Sequence, residues 1–179
     1  PKTKFVVSVE PRKGESGRAS CGPHGLDVIS FLISPNPGEP LKPLSEIASG
    51  GELSRVMLAI KSALSENDHV GCMVFDEIDT GIGGEVALAV AEHLYELARE
   101  KQILCITHLA SIAARADGHL LVQKSERGGR TVTDVARIDG SDRVDEIARM
   151  LAGDRTGSAS RNHAEELLRK ARPESNTNV

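Results

Sequence analysis

Two adjacent carboxylates, Asp76 and Glu77, follow the apolar run Cys72-Met73-Val74-Phe75 and precede Ile78, Asp79 and the glycines Gly81, Gly83 and Gly84. The run has the length and composition of a strand buried on both faces, as in a parallel sheet. Ligands bind at the carboxyl ends of strands in open α/β sheets, so the acidic pair stands where chemistry is expected. An acid at the tip of such a strand can help hold Mg2+ on a nucleotide, and a carboxylate beside it can orient or deprotonate an attacking water. A strand-end pair that merely faces solvent has the same local sequence. The surrounding elements must decide between the two.

Val86, Val90, Leu94 and Leu97 repeat at helical spacing up to about residue 100, and Gln102-Ile103-Leu104-Cys105-Ile106-Thr107 then reads as a second buried strand ending in His108. A strand, helix and strand of these lengths make a βαβ unit with parallel strands and a right-handed crossover. Asp76, Glu77 and His108 then emerge on one edge of one sheet. A lone His is more often structural, but at this position it can reach a phosphate or an attacking water.

A third candidate lies upstream. Ser49 followed by Glu52 is a capping box, and Leu53, Val56, Met57, Ile60 and Leu64 predict an amphipathic helix over residues 52–64. Gly50 and Gly51 place bare backbone N–H groups at the positive end of that helix, a ready phosphate site. Ser49 either caps the helix or adds its hydroxyl to the phosphate.

The other elements follow in order. Residues 4–10 and 26–34 read as an antiparallel strand pair joined by a long Gly/Ser/Pro-rich loop, and prolines 37, 40 and 43 break the chain after them. Residues 109–115 predict a short helix, and 119–124 with 131–138 a hairpin around a turn holding Gly128 and Gly129. Lys124, Arg127 and Arg130 make that turn basic, which fits a solvated tip or a DNA-backbone contact. Residues 142–151, with Val144, Ile147, Ala148 and Leu151 inward, and 158–171 predict two more helices, and 173–179 a polar tail expected to be disordered.

With 179 residues, 39% of them hydrophobic and 27% charged, the chain is long enough for a sizeable core. Aromatics at 2% argue against a base-stacking platform, and a net charge of −4 gives no field to draw in DNA or an anionic membrane. Cysteines are odd in number at three, and Cys72 and Cys105, within the strand-like runs, read as buried thiols, which points to a reducing, cytoplasmic setting. No apolar run approaches the length of a membrane span, and no signal peptide is read at the start.

Ala48-Ser49-Gly50-Gly51-Glu52 resembles the ABC-ATPase signature motif, with Ala48 and Glu52 where Leu and Gln are usual. Val74-Phe75-Asp76-Glu77 resembles its Walker B motif, Asp79 its D-loop and His108 its switch histidine. The longer strings from Ser49 to Lys61, from Phe75 to Gly84 and from Thr107 to Leu109 are similar to the RecN family of SMC-like ATPases in bacterial DNA repair. So are those from Phe31 to Pro40 and from Glu146 to Leu151, which extends the likeness over nearly the whole chain. The resemblance implies an α/β fold: the C-terminal part of an ABC/SMC-type P-loop ATPase head over residues 1–172, with a parallel βαβ core, flanking helices and antiparallel hairpins.

It further implies ATP and Mg2+ as cofactors, Asp76 as the metal ligand, Glu77 as base or water-orienting group and His108 as a γ-phosphate contact. Ser49, Gly50, Gly51 and Glu52 would meet the nucleotide of a second head in an ATP-bound dimer, with Asp79 at that junction. No Gly-x-x-x-x-Gly-Lys-Ser/Thr string occurs in the 179 residues. The expected partner is therefore the N-terminal half of the same head, which in the family carries that string, and the chain alone should be inactive. DNA would be a partner of the full-length protein, in a cytoplasmic, nucleoid-associated location. Two other readings remain at this point. One is a binding module for DNA or protein without catalysis; the other is a self-contained phosphohydrolase with Asp76, Asp79 and His108 on a metal.

Overall fold

A computed structural model of the chain describes residues 3–14, 17–47, 49–65, 68–153 and 157–171. The tail read at 173–179 and the signature-motif Ala48 lie outside the described residues. The chain divides into two compact units after Leu53.

In the first unit, β1 (Lys4–Pro11) pairs antiparallel with β2 (Asp27–Ser34), as the sequence predicts, in a register that sets Val7 opposite Phe31 and Val9 opposite Ile29. A two-residue strand, β3 (Lys42–Pro43), adds to the other side of β2 within the proline-rich segment. Alternation sends Phe5, Val7, Val9, Ile29 and Phe31 to one face, where all five are exposed and Phe5 stacks on Phe31 at 5.8 Å between ring centroids. After β2, the buried Ser34 hydroxyl bonds the carbonyls of Asn36 at 3.0 Å and Glu39 at 2.9 Å and so shapes the turn.

Helix α1 (Gly50–Ala63) contains the division between the units. It begins two residues earlier than the periodicity predicts, because Ser49 serves as its cap: the Glu52 N–H meets Ser49 Oγ at 3.4 Å. The inward face also differs from the predicted one. Leu58 is the buried apolar residue, whereas Leu53, Met57 and Leu64 are exposed. Ser54, Arg55 and Lys61, all within the second unit, lie on the Leu58 side because each bonds a neighbouring segment of it: Ser54 and Arg55 hold backbone carbonyls beyond β4, and Lys61 pairs with Asp68 at 2.6 Å. Apolar spacing carries no trace of a helix turned by polar bonds.

The second unit is built on β4 (Cys72–Phe75), α2 (Gly84–Ala98) and β5 (Gln102–Cys105), with the two strands parallel and Phe75 opposite Cys105. Met73 and Phe75 point into a core with Leu58, Ile78, Val90, Ala91, Leu94, Leu97 and Ile112. The other face of this two-stranded sheet is bare. Val74 is 63% exposed and Ile106 60% exposed, and Cys72 and Leu104 lie open with them. The expectation of a strand buried on both faces is thus corrected: β4 is covered on one face only. The reading of Cys72 as a buried thiol falls with it, while Cys105 stays half-buried on the covered side. On α2 the inward stripe is Ala87, Val90, Ala91, Leu94 and Leu97, and Val86 faces out.

Helix α3 (Ala110–Arg115) leads to the hairpin of β6 (His119–Arg127) and β7 (Arg130–Ile138). Its strands run closer to the tip than predicted because Gly128 and Gly129, at φ 60° and 74°, close a two-residue loop. Helices α4 (Gly140–Ala152) and α5 (Ser158–Ala171) pack with α3 around Ile147, Ala148 and Ala164. Gly153 ends α4 at φ 68° and donates to the Arg149 carbonyl. Arg143 and Glu146, two charged residues that periodicity would set outside, are buried. The Arg143 guanidinium donates to the carbonyls of Ala113 and Ala114 at the end of α3 and of Ala116 just beyond it.

The rotation of α2 gives a direct test. Leu94→Ala should cost about 2–5 kcal/mol of stability and Val86→Ala less than about 0.5 kcal/mol, read by chemical denaturation of this chain. Equal losses would mean that Val86 lies in the core beside Leu94.

Candidate functional site

The parallel register sets the ends of β4 and β5 side by side, so Asp76 and Glu77 leave the sheet on the edge from which His108 leaves it. The Ile106 N–H continues the pairing past β5 by donating to the Phe75 carbonyl at 2.9 Å. Asp76, Glu77 and His108 are exposed; Ile78, between the acids and Asp79, is fully buried and anchors the turn in the core.

Glu77 is the only non-glycine residue with positive φ among those described, at 57°. Its N–H donates to Asp76 Oδ1 at 2.9 Å, and its carbonyl accepts from the Thr80 N–H at 3.0 Å. Left-handed backbone costs a side-chain-bearing residue roughly 1–3 kcal/mol and persists only where surroundings enforce it. Here α1 enforces it. Ser54 Oγ donates to the Asp76 carbonyl at 2.9 Å, and Arg55 Nη1 donates to the carbonyls of Ile78 at 3.1 Å and Thr80 at 3.0 Å. Sequence reasoning passed over Ser54 and Arg55. Their adjacency to the glycine pair was visible, but nothing in the spacing linked them to a loop more than 20 residues away.

Asp79, which the resemblance sets at a junction between heads, is 3% exposed. Its Oδ2 accepts from the Thr107 hydroxyl at 2.5 Å and from the His108 backbone N–H at 2.8 Å, and the His108 ring lies beside it with Nδ1 3.0 Å away. Burial pushes its carboxyl pKa up, but the bonds from Thr107 and from the His108 N–H, with the His108 ring beside them, outweigh burial and leave it below the usual value of 3.8. Cys105, on the covered side of β5, is driven up to about 12 by burial and then by the charges of Asp79 and Asp76, so it is no nucleophile at neutral pH.

This geometry weighs against a metal held by Asp76, Asp79 and His108 together. The Asp79 oxygen nearest His108 is already bonded by two donors, and among the described residues no group of three or more His, Cys, Asp and Glu is gathered to hold a metal. Ser49, Gly50, Gly51 and Glu52 belong to the first unit, where Gly50 and Gly51 form the first turn of α1 and Ser49 caps it. Uncapped N–H groups in a helical first turn, free of side chains, suit a phosphate oxygen.

Two outcomes test this edge. Glu77→Gly removes the strained φ and should raise stability by about 1 kcal/mol in denaturant melts; an unchanged or lower stability would show that the turn holds no strain. The second concerns acid. Because the folded pKa of Asp79 lies below its unfolded value, its contribution is complete above about pH 4 and fades as pH falls through the folded value. The stability gap between the parent and Asp79→Asn should therefore be constant from pH 5 to 7 and narrow on acidification below about pH 4. A gap that instead widens there would reverse the sign.

Comparison with models of protein families finds no match. The chain is 56% identical over 167 residues to the DNA repair protein RecN of Treponema pallidum, covering 93% of this chain and 29% of that protein. It is 47% identical over 174 residues to RecN of Bacillus subtilis, with 94% and 30% covered, and 51% identical over 153 residues to RecN of Deinococcus radiodurans, with 86% and 27% covered. The chain thus spans less than a third of the length of these relatives. Among solved structures, the Smc head domain with a coiled coil and joint from Pyrococcus yayanosii aligns with a TM-score of 0.53 at 22% identity, over 96% of this chain and 26% of that one. The Smc head domain with an extended coiled coil from Pyrococcus furiosus aligns at 0.51 and 23%, over 76% and 31%. At such identities the structures speak for the fold, the α/β fold of SMC heads, and the curated relatives supply the rest: the chain belongs to the RecN family of DNA repair proteins.

Proposed function

We propose that the chain is the C-terminal part of a split ATPase head, spanning residues 1–172, and that the full-length protein binds and hydrolyses ATP with Mg2+ during DNA double-strand break repair and recombination. The observation that carries this is the shared edge of β4 and β5, where the strained Asp76-Glu77 turn and His108 stand together in a chain 56% identical to a RecN. Asp76 would hold the Mg2+ shell, Glu77 would orient or deprotonate the attacking water, and His108 would reach the γ-phosphate side of the site. Ser49, Gly50 and Gly51, with Glu52 in the same helical turn, would meet the γ-phosphate held by a second head, so that ATP joins two heads and hydrolysis releases them. The bound nucleotide would supply the phosphoryl group; this chain supplies charge and donors at fixed positions.

Bare apolar sheet supports the split. Val74, Leu104 and Ile106 in the second unit, and Phe5, Val7, Val9, Ile29 and Phe31 in the first, are exposed strand residues of the kind an N-terminal half would cover. Among the described residues no helix is long and apolar enough to cross a membrane, in keeping with a cytoplasmic, nucleoid-associated protein. The hairpin tip is a weaker candidate for DNA, since Arg127 is already paired with Asp134 at 3.0 Å.

Reconstitution tests the reading. The chain alone should neither bind MgATP at micromolar concentrations nor turn it over, and mixing it with the remaining part of its protein should restore DNA-stimulated hydrolysis. In the full-length protein Glu77→Gln should keep ATP binding, lower kcat by about 10²-fold or more, and accumulate ATP-bound dimers. Micromolar MgATP affinity of the isolated chain, or parental turnover in Glu77→Gln, would overturn it.

A further inference from the structure

Within the second unit, the turn from Asp76 to Thr80 has its carbonyls at alternate positions taken by α1. The Asp76 carbonyl accepts from Ser54 Oγ at 2.9 Å, and those of Ile78 and Thr80 accept from Arg55 Nη1 at 3.1 and 3.0 Å. The Nη1 arm carries two hydrogens in the plane of the guanidinium, one for each of these two carbonyls. Among the described residues Arg55 makes no ion pair, and both of its bonds go to this turn. Between the anchors Glu77 stands at φ 57°. A glutamate released from such a turn relaxes to negative φ, and that rotation redirects its side chain.

We propose that Arg55 is the positioning residue of Glu77: its Nη1 arm, aided by Ser54, holds the 76–80 turn in the left-handed conformation that sets the Glu77 carboxylate at the edge shared with Asp76 and His108. This rests on the ATPase reading of that edge. A carboxylate that orients or deprotonates a water must keep its place closely, since a displacement of about 1 Å can cost about 10²-fold in rate. Arg55 meets that demand from behind the turn, through backbone alone. Asp76 follows directly on β4 and is placed by the pairing of β4 with β5, whereas Glu77 depends on the turn. Loss of Arg55 therefore falls on the attacking water and spares the Mg2+ nucleotide. Lysine is no substitute, because its compact ammonium ends short of Nη1 and lacks the planar arm.

In the full-length protein, Arg55→Ala should lower kcat by about 10²-fold while KM stays within about twofold of the parent. Titration with MgATP counts the folded sites, so lost fold shows as missing sites and is divided out. Arg55→Lys keeps the charge and most of the stem, guards against an alanine variant that fails to fold, and should lower kcat by about tenfold or more. On the Glu77→Gln background neither substitution should lower kcat further, because Arg55 acts through that carboxylate. Hydrogen exchange of the peptide spanning residues 76–80, where the Thr80 N–H bonds the Glu77 carbonyl, should quicken in both variants. Parental kcat per ATP site in either variant, a loss of affinity in place of kcat, or additive losses with Glu77→Gln would each overturn the proposal. So would exchange in the turn that stays as slow as in the parent. A full-length protein without ATPase activity would defeat the proposed function, and exchange alone would then decide whether Arg55 holds the turn.

Discussion

One carboxylate oxygen ties the two halves of the βαβ unit together at the edge where its chemistry would occur. Asp79 comes from the turn after β4, and the groups that bond it, the Thr107 hydroxyl and the His108 backbone N–H, come from the segment after β5. Burying a charge is costly unless it is hydrogen-bonded, and two donors on one oxygen, with the His108 ring beside them, provide that compensation. The parallel pairing brings the strand ends together to within a residue or two, and the carboxylate sets the rest.

The acidic turn is held from the opposite side. Ser54 and Arg55 bond the carbonyls of Asp76, Ile78 and Thr80, so the backbone that carries Asp76 and Glu77 is fixed at three successive alternate residues. Those bonds require Ser54 and Arg55 to face inward, which rotates α1 until Leu58 is its deepest apolar residue and Leu53, Met57 and Leu64 are left outside. Helix orientation here follows polar satisfaction of a neighbouring turn, because an unpaired carbonyl near the core costs about as much as burying one more small apolar side chain yields.

That ordering of forces explains what the sequence disclosed. The elements themselves were legible: β4 and α5 match their predicted bounds, β1, β2, α2 and the hairpin lie within a few residues of theirs, and the parallel pairing followed from the length of the crossover. The edge with Asp76, Glu77 and His108 was legible for the same reason, since strand ends are fixed by local pattern. Faces were less legible. The α1 stripe was misassigned, and Arg143 and Glu146 were not seen as buried, because apolar periodicity assumes that every polar residue seeks water, whereas Arg55, Arg143 and Glu146 find partners inside. The bare side of β4 had no signature either: Val74 is as apolar as Met73, and a sequence records what a face prefers, whatever lies against it.

Glu77 carries the same lesson to the energetics. A residue that must present its carboxylate sits in backbone a glycine would occupy more comfortably, and the strain of roughly 1–3 kcal/mol is sustained by the clamp from α1 and by the buried Ile78 beside it. Position along the chain is fixed by the strand, direction by the strained turn, and tolerance of the strain by bonds made elsewhere. A turn optimised for stability would carry glycine and lose the carboxylate, so Glu77 departs from the local rule at the edge where our proposal sets the attacking water.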